Sequence, residues 1–152
     1  MLVVLVIASI LLSAALPSWQ SLLRNQSLKA AANEWMASLQ RARATAMRSG
    51  MTVDILATQS GNWNQGWVLT HDANGNRRID KGEDRLHAYG PIADSIDVSL
   101  NFGGKALGFQ ANGRPLQSGH VLLTAGAQRR KLIINMLGRP RLCDPDAQDL
   151  SC

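Results

Sequence analysis

The first 23 residues, Met1 to Leu23, carry no charged side chain, and the helical pattern continues after the charges begin at Arg24. As a helix, a run of that length spans roughly 35 Å, enough for the hydrocarbon layer of a bilayer. Such an end has two physical homes: a membrane, or the core of an assembly of similar helices. A cleaved secretory signal would show a basic start, a shorter apolar stretch and a small-residue cleavage site. Here the start is uncharged and the apolar run passes Pro17, with only Ala14, Ala15 and Leu16 approximating a cleavage site. The pattern favours a retained anchor.

Beyond Pro17 the apolar residues keep helical spacing: Trp19, Leu22 and Leu23, then Leu28, Ala31, Ala32, Trp35, Leu39, Ala42 and Ala46. Pro17 removes one backbone donor and should kink or loosen the helix, and Gly50 supplies a stop. The expectation is one helix of about 50 residues, roughly 75 Å long, apolar all round in its first half and amphipathic in its second. Residues 1–23 then form a hydrophobic transmembrane or filament-core segment. Residues 24–152 form the head, which has length enough for one small core.

The net charge is +5, unevenly distributed. Arg24, Lys29, Arg41, Arg43 and Arg48 face only Glu34 within 24–50, and Arg129, Arg130, Lys131, Arg139 and Arg141 face no acid within 129–141. Acids gather in 72–84 and in the tail at Asp144, Asp146 and Asp149. Basic density of this kind suits a polyanion such as nucleic acid or anionic lipid, and composition alone equally accommodates a solvated basic face. Cys143 and Cys152 are the two cysteines. With an export-type N-terminus they read as a disulfide in an oxidising compartment. His71, His87 and His120 are too scattered to complete a metal site with them.

After Gly50 the pattern breaks into short alternating runs. Strands are expected over 52–57, 67–70, 96–100, 106–110, 120–124 and 131–135, with a turn-rich stretch over 59–66. The class is therefore α+β, with an antiparallel sheet or two small sheets packed on the apolar face of the helix's second half. In the loop from Asp72, oxygen-bearing side chains at Asp72, Asn74, Asn76, Asp80 and Glu83 have calcium-loop spacing. Arg77 occupies the position where such loops need a glycine, and Asn-Gly and Lys-Gly are ordinary turn signals, so a plain turn is favoured. No nucleophile–base pair and no phosphate-cradling glycine loop appears, so nothing argues for an enzyme or a cofactor.

The start Met1-Leu-Val-Val-Leu-Val-Ile resembles the stretch that directly follows the glutamate of the Gly-Phe-Thr-Leu-Ile-Glu processing motif in type IV pilin-like proteins, and Pro17 falls where their helices commonly carry a proline. The glycine, the phenylalanine that is methylated after cleavage and the glutamate are absent here. Either the start codon was assigned too late or the chain is a fragment, and the first is the expectation. The remainder resembles the minor pilin and pseudopilin branch called the GspH/FimT family. The matching pieces are Leu39-Gln-Arg-Ala-Arg-Ala-Thr-Ala, Asp72-Ala-Asn-Gly-Asn with Gly82-Glu83, Leu107-Gly-Phe-Gln-Ala-Asn-Gly-Arg, and Gly138-Arg139-Pro140-Arg141. The resemblance implies a pilin fold, insertion in the bacterial inner membrane before assembly, and other pilins as partners in an extracellular or periplasmic filament.

Within that family, Gly-Arg-x-Arg near the C-terminus resembles the DNA-contacting element of FimT proteins, the minor pilins of natural transformation. Here it is Gly138, Arg139, Pro140 and Arg141. Two guanidiniums two residues apart project to one side if the segment is extended, and each can hold a phosphate through paired hydrogen bonds. Arg129, Arg130 and Lys131 are expected to widen the patch, and the Cys143–Cys152 disulfide to lower the ordering cost of the tail. No aromatic residue lies in 110–152, so contacts should go to the phosphates of double-stranded DNA rather than to stacked bases. The competing readings are a structural pseudopilin of a type II secretion system that binds no DNA, and a membrane-anchored domain whose basic patch meets anionic lipid.

Overall fold

The computed structural model describes residues 2–76, 78–102, 107–147 and 152; within these ranges, side chains are described for Trp19 and from Ser21 onward. One helix, α1 (Leu2–Ser49), is followed by β1 (Val53–Gln59), β2 (Asn62–Thr70), β3 (Arg85–Tyr89), β4 (Asp97–Asn101), β5 (Leu107–Phe109), β6 (Gly119–Ala125), β7 (Gln128–Ile134) and β8 (Pro140–Cys143). The strands form two four-stranded sheets, ordered β3-β2-β1-β5 and β4-β6-β7-β8, with every pairing antiparallel. The architecture is α+β, as the change of hydrophobic period after Gly50 implies.

The helix forms because its apolar stripe is buried. Leu28, Ala32, Trp35, Leu39, Ala42 and Ala46 are fully enclosed, and α1 lies against β1, β5, β6, β7 and β8. Three alanines on that stripe let the sheets approach the helix closely. It ends where Gly50 takes φ 69° and its N–H donates to the Ala46 carbonyl at 3.0 Å, a left-handed stop that suits glycine. Trp19, Leu22 and Leu23 sit on the same helix with about half or more of their surface in water. Within one copy of the chain, the apolar pattern therefore outruns the sheets that could cover it. The segment 1–23 lies, apart from Trp19 and residues 21–23, outside the described side chains, and so does Pro17. Among the described residues no helix is long and apolar enough to cross a membrane.

In the core, Trp35 of α1 stacks on Trp67 of β2 at 4.1 Å, and Trp67 stacks on Tyr89 of β3 at 5.0 Å. Trp63 leans on Trp35 at 5.7 Å. Each such pair adds about 1 kcal/mol beyond burial, and removing either buried indole would cost about 3–5 kcal/mol. Asn64 joins the two sheets: its side chain donates to the Ile96 carbonyl at 2.5 Å and accepts from the Val98 N–H at 3.1 Å.

Six expected strands are present, with shifted ends. The turn-rich reading of 59–66 is corrected. β2 already begins at Asn62, opposite Gln59, so only Ser60 and Gly61 turn the chain, with Gly61 at φ 78°. Trp63 draws this stretch into the sheet by covering Trp35. Two strands, β3 and β8, were not expected from the sequence.

Candidate functional site

Alternation along β7 decides where the basic residues point. Leu132 and Ile134 are buried under the helix, so Arg130 shares their inward face while Arg129, Lys131 and Ile133 face out. Arg130 is partly buried beside the helix, with its guanidinium 3.5 Å from the Asn25 side-chain oxygen. β8 pairs Arg141 with Ile133 and Cys143 with Lys131; β6 places His120 opposite Ile133 on the other side. His120, Ile133 and Arg141 therefore form one row across the outer face of the second sheet, with Lys131 in the next row.

This outer face is concave. One hollow is lined by Ile133, Asn135, Arg139, Pro140 and Arg141. A second, which shares Ile133 and Asn135, takes in Gly119, His120, Lys131 and Met136. Together they make a shallow groove that includes Ile133 and Asn135, with Arg139, Arg141 and Lys131 in its lining and, among the described residues, no acidic side chain there. Arg139 and Arg141 are both exposed. Burial lowers the His120 pKa below the ordinary histidine value, and the positive charge of Lys131 adds to that effect. His120 is thus a neutral hydrogen-bonding wall at neutral pH, and would gain charge only beside an anion or in acid.

The other two arginines have a different fate. Arg129 forms an ion pair with Asp146, its Nε lying 3.1 Å from Oδ1 and 3.2 Å from Oδ2. Arg130 pairs with Asp144 at 2.6 Å. The pairing holds the Asp146 carboxyl below the usual carboxylate range, through hydrogen bonds from Arg129 and the neighbouring positive charge. The disulfide joins Cys143 of β8 to Cys152, with Cα atoms 5.8 Å apart, and Lys131 Nζ lies 3.5 Å from the Cys152 carbonyl oxygen. The seven residues singled out by the sequence thus separate into two groups. Gly138, Arg139, Pro140, Arg141 and Lys131 gather around the groove, whereas Arg129 and Arg130 are engaged by the tail's own carboxylates.

A residue outside that set positions the Gly-Arg-x-Arg segment. Arg43 of α1 donates through Nε to the Gly113 carbonyl at 3.0 Å and through Nη2 to the Leu137 carbonyl at 3.3 Å. Gly138 is packed into the same corner at φ 72°, where an added Cβ would stand 2.2 Å from the Gly113 oxygen. Asn135 completes the turn. Its side-chain oxygen accepts from the N–H groups of Leu137 at 3.1 Å and Arg139 at 3.0 Å, and its carbonyl accepts from Gly138 at 2.9 Å. The segment is therefore held in place by the helix before any partner arrives. His120, Asn135 and Arg43 were not singled out from sequence; their roles depend on contacts made only once the fold has formed.

The loop from Asp72 is closed by its own hydrogen bonds. The amide nitrogens of Asn74 and Asn76 both donate to Asp80 Oδ2, at 2.9 and 2.6 Å. Their oxygens accept backbone N–H groups from Asn76 and Arg78, which fixes the orientation of both amides. The two amides thus serve Asp80 on one side and the backbone of the loop on the other. Glu83 accepts the Asp80 N–H at 3.3 Å. Among the described residues, no group of three or more His, Cys, Asp or Glu side chains is placed to hold a metal ion.

Comparison with known proteins agrees with this architecture. Residues 31–138 match the family described as type II transport protein GspH. The match ends just before Arg139. The chain is 32% identical over 149 residues to the pilin-like protein PilA1 of Thermus thermophilus, covering 93% of each. Its fold is similar to that of the type IV minor pilin FimU of Pseudomonas aeruginosa, with TM-score 0.66 and 22% identity over 78% of this chain and 90% of the other. It is also similar to the minor pseudopilin EpsH of the type 2 secretion system of Vibrio cholerae, with TM-score 0.60 and 12% identity over 79% of this chain and 98% of that one. A long helix on which Trp19, Leu22 and Leu23 are exposed, two antiparallel sheets and these matches together place the chain in the GspH/FimT family of type IV pilin-like proteins, whose members are structural pilins.

Proposed function

We propose that this protein is a minor pilin of a type IV pilus that binds extracellular double-stranded DNA for uptake in natural transformation. The observation that carries the reading is the groove on the outer face of the second sheet. There Arg139, Arg141 and Lys131 surround Ile133 and Asn135, with no acidic side chain in the lining among the described residues. Guanidiniums hold phosphate oxygens through paired hydrogen bonds, and the Asn135 and Arg43 contacts hold the segment in one conformation, which reduces the ordering cost of binding. The apolar segment 1–23 anchors the chain in the inner membrane as a single pass before assembly and in the helical core of the filament afterwards, leaving the head, residues 24–152, outside. Retraction of the filament then draws bound DNA towards the cell. Weak contacts suffice where several copies engage one duplex.

A second reading has its own support. The ion pairs of Arg129 with Asp146 and of Arg130 with Asp144 use part of the basic cluster for holding the tail, as a purely structural pseudopilin of a type II secretion system would. The two readings separate in cells that carry Arg139→Ala and Arg141→Ala together. The DNA reading expects filaments to assemble and DNA uptake to fall sharply. Unchanged uptake, with secretion failing only when the whole protein is deleted, would leave the pseudopilin reading.

A further inference from the structure

The turn between β7 and β8 presents two large apolar side chains to water: Met136 is 78% exposed and Leu137 56% exposed. Single exposed apolar residues are common on protein surfaces; what sets this tip apart is that two lie side by side and that the backbone beneath them is rigid. Here it is rigid, because Asn135 and Arg43 fix the turn through the hydrogen bonds described above. The surroundings of the tip are cationic. Met136 lines the same hollow as Lys131 and His120, Arg139 follows two residues after Leu137, and the chain from 103 to 143 contains no aspartate or glutamate. An apolar point set between phosphate-binding cations matches a wedge that enters a base step while its flanks grip the backbone.

Resting on the DNA reading above, we infer that Met136 and Leu137 form an aliphatic wedge that inserts from the minor groove into a base step of duplex DNA and kinks it. Phosphate contacts by Arg139, Arg141 and Lys131 set the depth of insertion. The absence of aromatic residues from 110–152 excludes a stacking platform, but a wedge of methionine and leucine needs none. Steps that unstack readily, such as TA, would be favoured over stiff A-tracts, which gives a shape preference without base-edge contacts. An anionic bilayer offers similar chemistry, but the placement of the tip argues against it. Arg43, which holds the Leu137 carbonyl, lies 20 residues beyond Leu23 on one helix, so the tip stands about 30 Å along the axis from the apolar end.

The test uses the full chain in neutral nanodiscs and a short duplex that carries 2-aminopurine beside a TA step and a donor–acceptor dye pair on its ends. Binding is read separately by anisotropy. The expected result is brighter 2-aminopurine and a shorter end-to-end distance at saturation. The variant M136A/L137A, altered only at exposed positions, should bind with an unchanged salt slope and about threefold weaker, without either signal. Wild type that binds with neither signal, or a tip variant that gives both, overturns the wedge while leaving DNA binding intact. Absence of any binding overturns the DNA reading and the wedge together. Tip-dependent capture of phosphatidylglycerol vesicles by the nanodiscs, with DNA signals unaffected by the variant, would assign the tip to lipid instead.

Discussion

Arg129 and Arg130 on β7, and Arg139 and Arg141 at β8, look alike as pairs of arginines in an acid-free stretch of sequence, but the fold gives them different surroundings. The first pair is matched by Asp146 and Asp144 of the disulfide-closed tail. The second lines a groove whose described walls hold no carboxylate. The difference shows that a run of positive charge in sequence overstates the charge available to a partner. Register decides the outcome. Alternation sends Arg130 inward beside the helix, and the chain after Cys143 returns two aspartates to the start of β7.

The largest expected break of this contrast is at Gly138. A valine there must adopt φ near 72° and would drive its Cβ into the Gly113 carbonyl. The predicted cost is about 3 kcal/mol of stability, measured by denaturant unfolding, with DNA affinity lost as the turn moves. A smaller effect separates the tail pairs. Arg130→Ala should destabilise by about 1 kcal/mol, since its side chain is only 17% exposed, whereas Arg129→Ala at an exposed pair should scarcely shift the melting temperature.

Releasing Arg129 sharpens the contrast further. Asp146→Asn should raise affinity for duplex DNA about twofold to threefold and steepen the salt dependence, because Arg129, which faces out from β7, then adds to the phosphate contacts. No change would mean that Arg129 faces away from the DNA path.

The smallest effects are those of pH. Asp146 has a folded pKa below its ordinary value, so the stability from its pairing is present above that ordinary value and is lost as acid takes pH through the lowered one. Deletion of the pair should therefore flatten the acid limb of the unfolding curve. His120 has a lowered pKa of a different kind: the unfolded chain binds the proton more readily, so folding loses stability as pH falls below the ordinary histidine range. A phosphate in the groove raises that pKa again, and DNA affinity should gain about twofold on acidification, a gain absent in His120→Gln.

The helix and most of the strands were legible because their signals are local. Leu28, Ala32, Trp35, Leu39, Ala42 and Ala46 repeat at helical spacing and are all buried. β3 escaped notice because Arg85 to Tyr89 is an edge strand held by one neighbour, with Arg85 and Leu86 both exposed. β8 was hidden by Pro140, which opens it and supplies no N–H to a ladder. The candidate site was legible as Arg139 and Arg141, whose spacing already implied a shared side in an extended segment. Its support was not: the Arg43 bonds to Gly113 and Leu137 join residues 70 and 94 positions apart. The sorting of Arg129 from Arg130 was partly within reach, since Leu132 and Ile134 mark the inner face of β7. Their pairing with Asp144 and Asp146 needed the register of β8.

Under the proposed function, Arg139 and Arg141, and not Arg129 and Arg130, carry the interaction with a polyanion. This is tested most directly by titrating labelled duplex DNA with the full chain across a salt series, beside the double variants R139A/R141A and R129A/R130A. The account predicts binding by wild type that weakens with salt, and near-complete loss with a slope reduced by about 1.8 for R139A/R141A. R129A/R130A should stay within about threefold of wild type. Equal loss in both variants, or a greater loss in R129A/R130A, would contradict it.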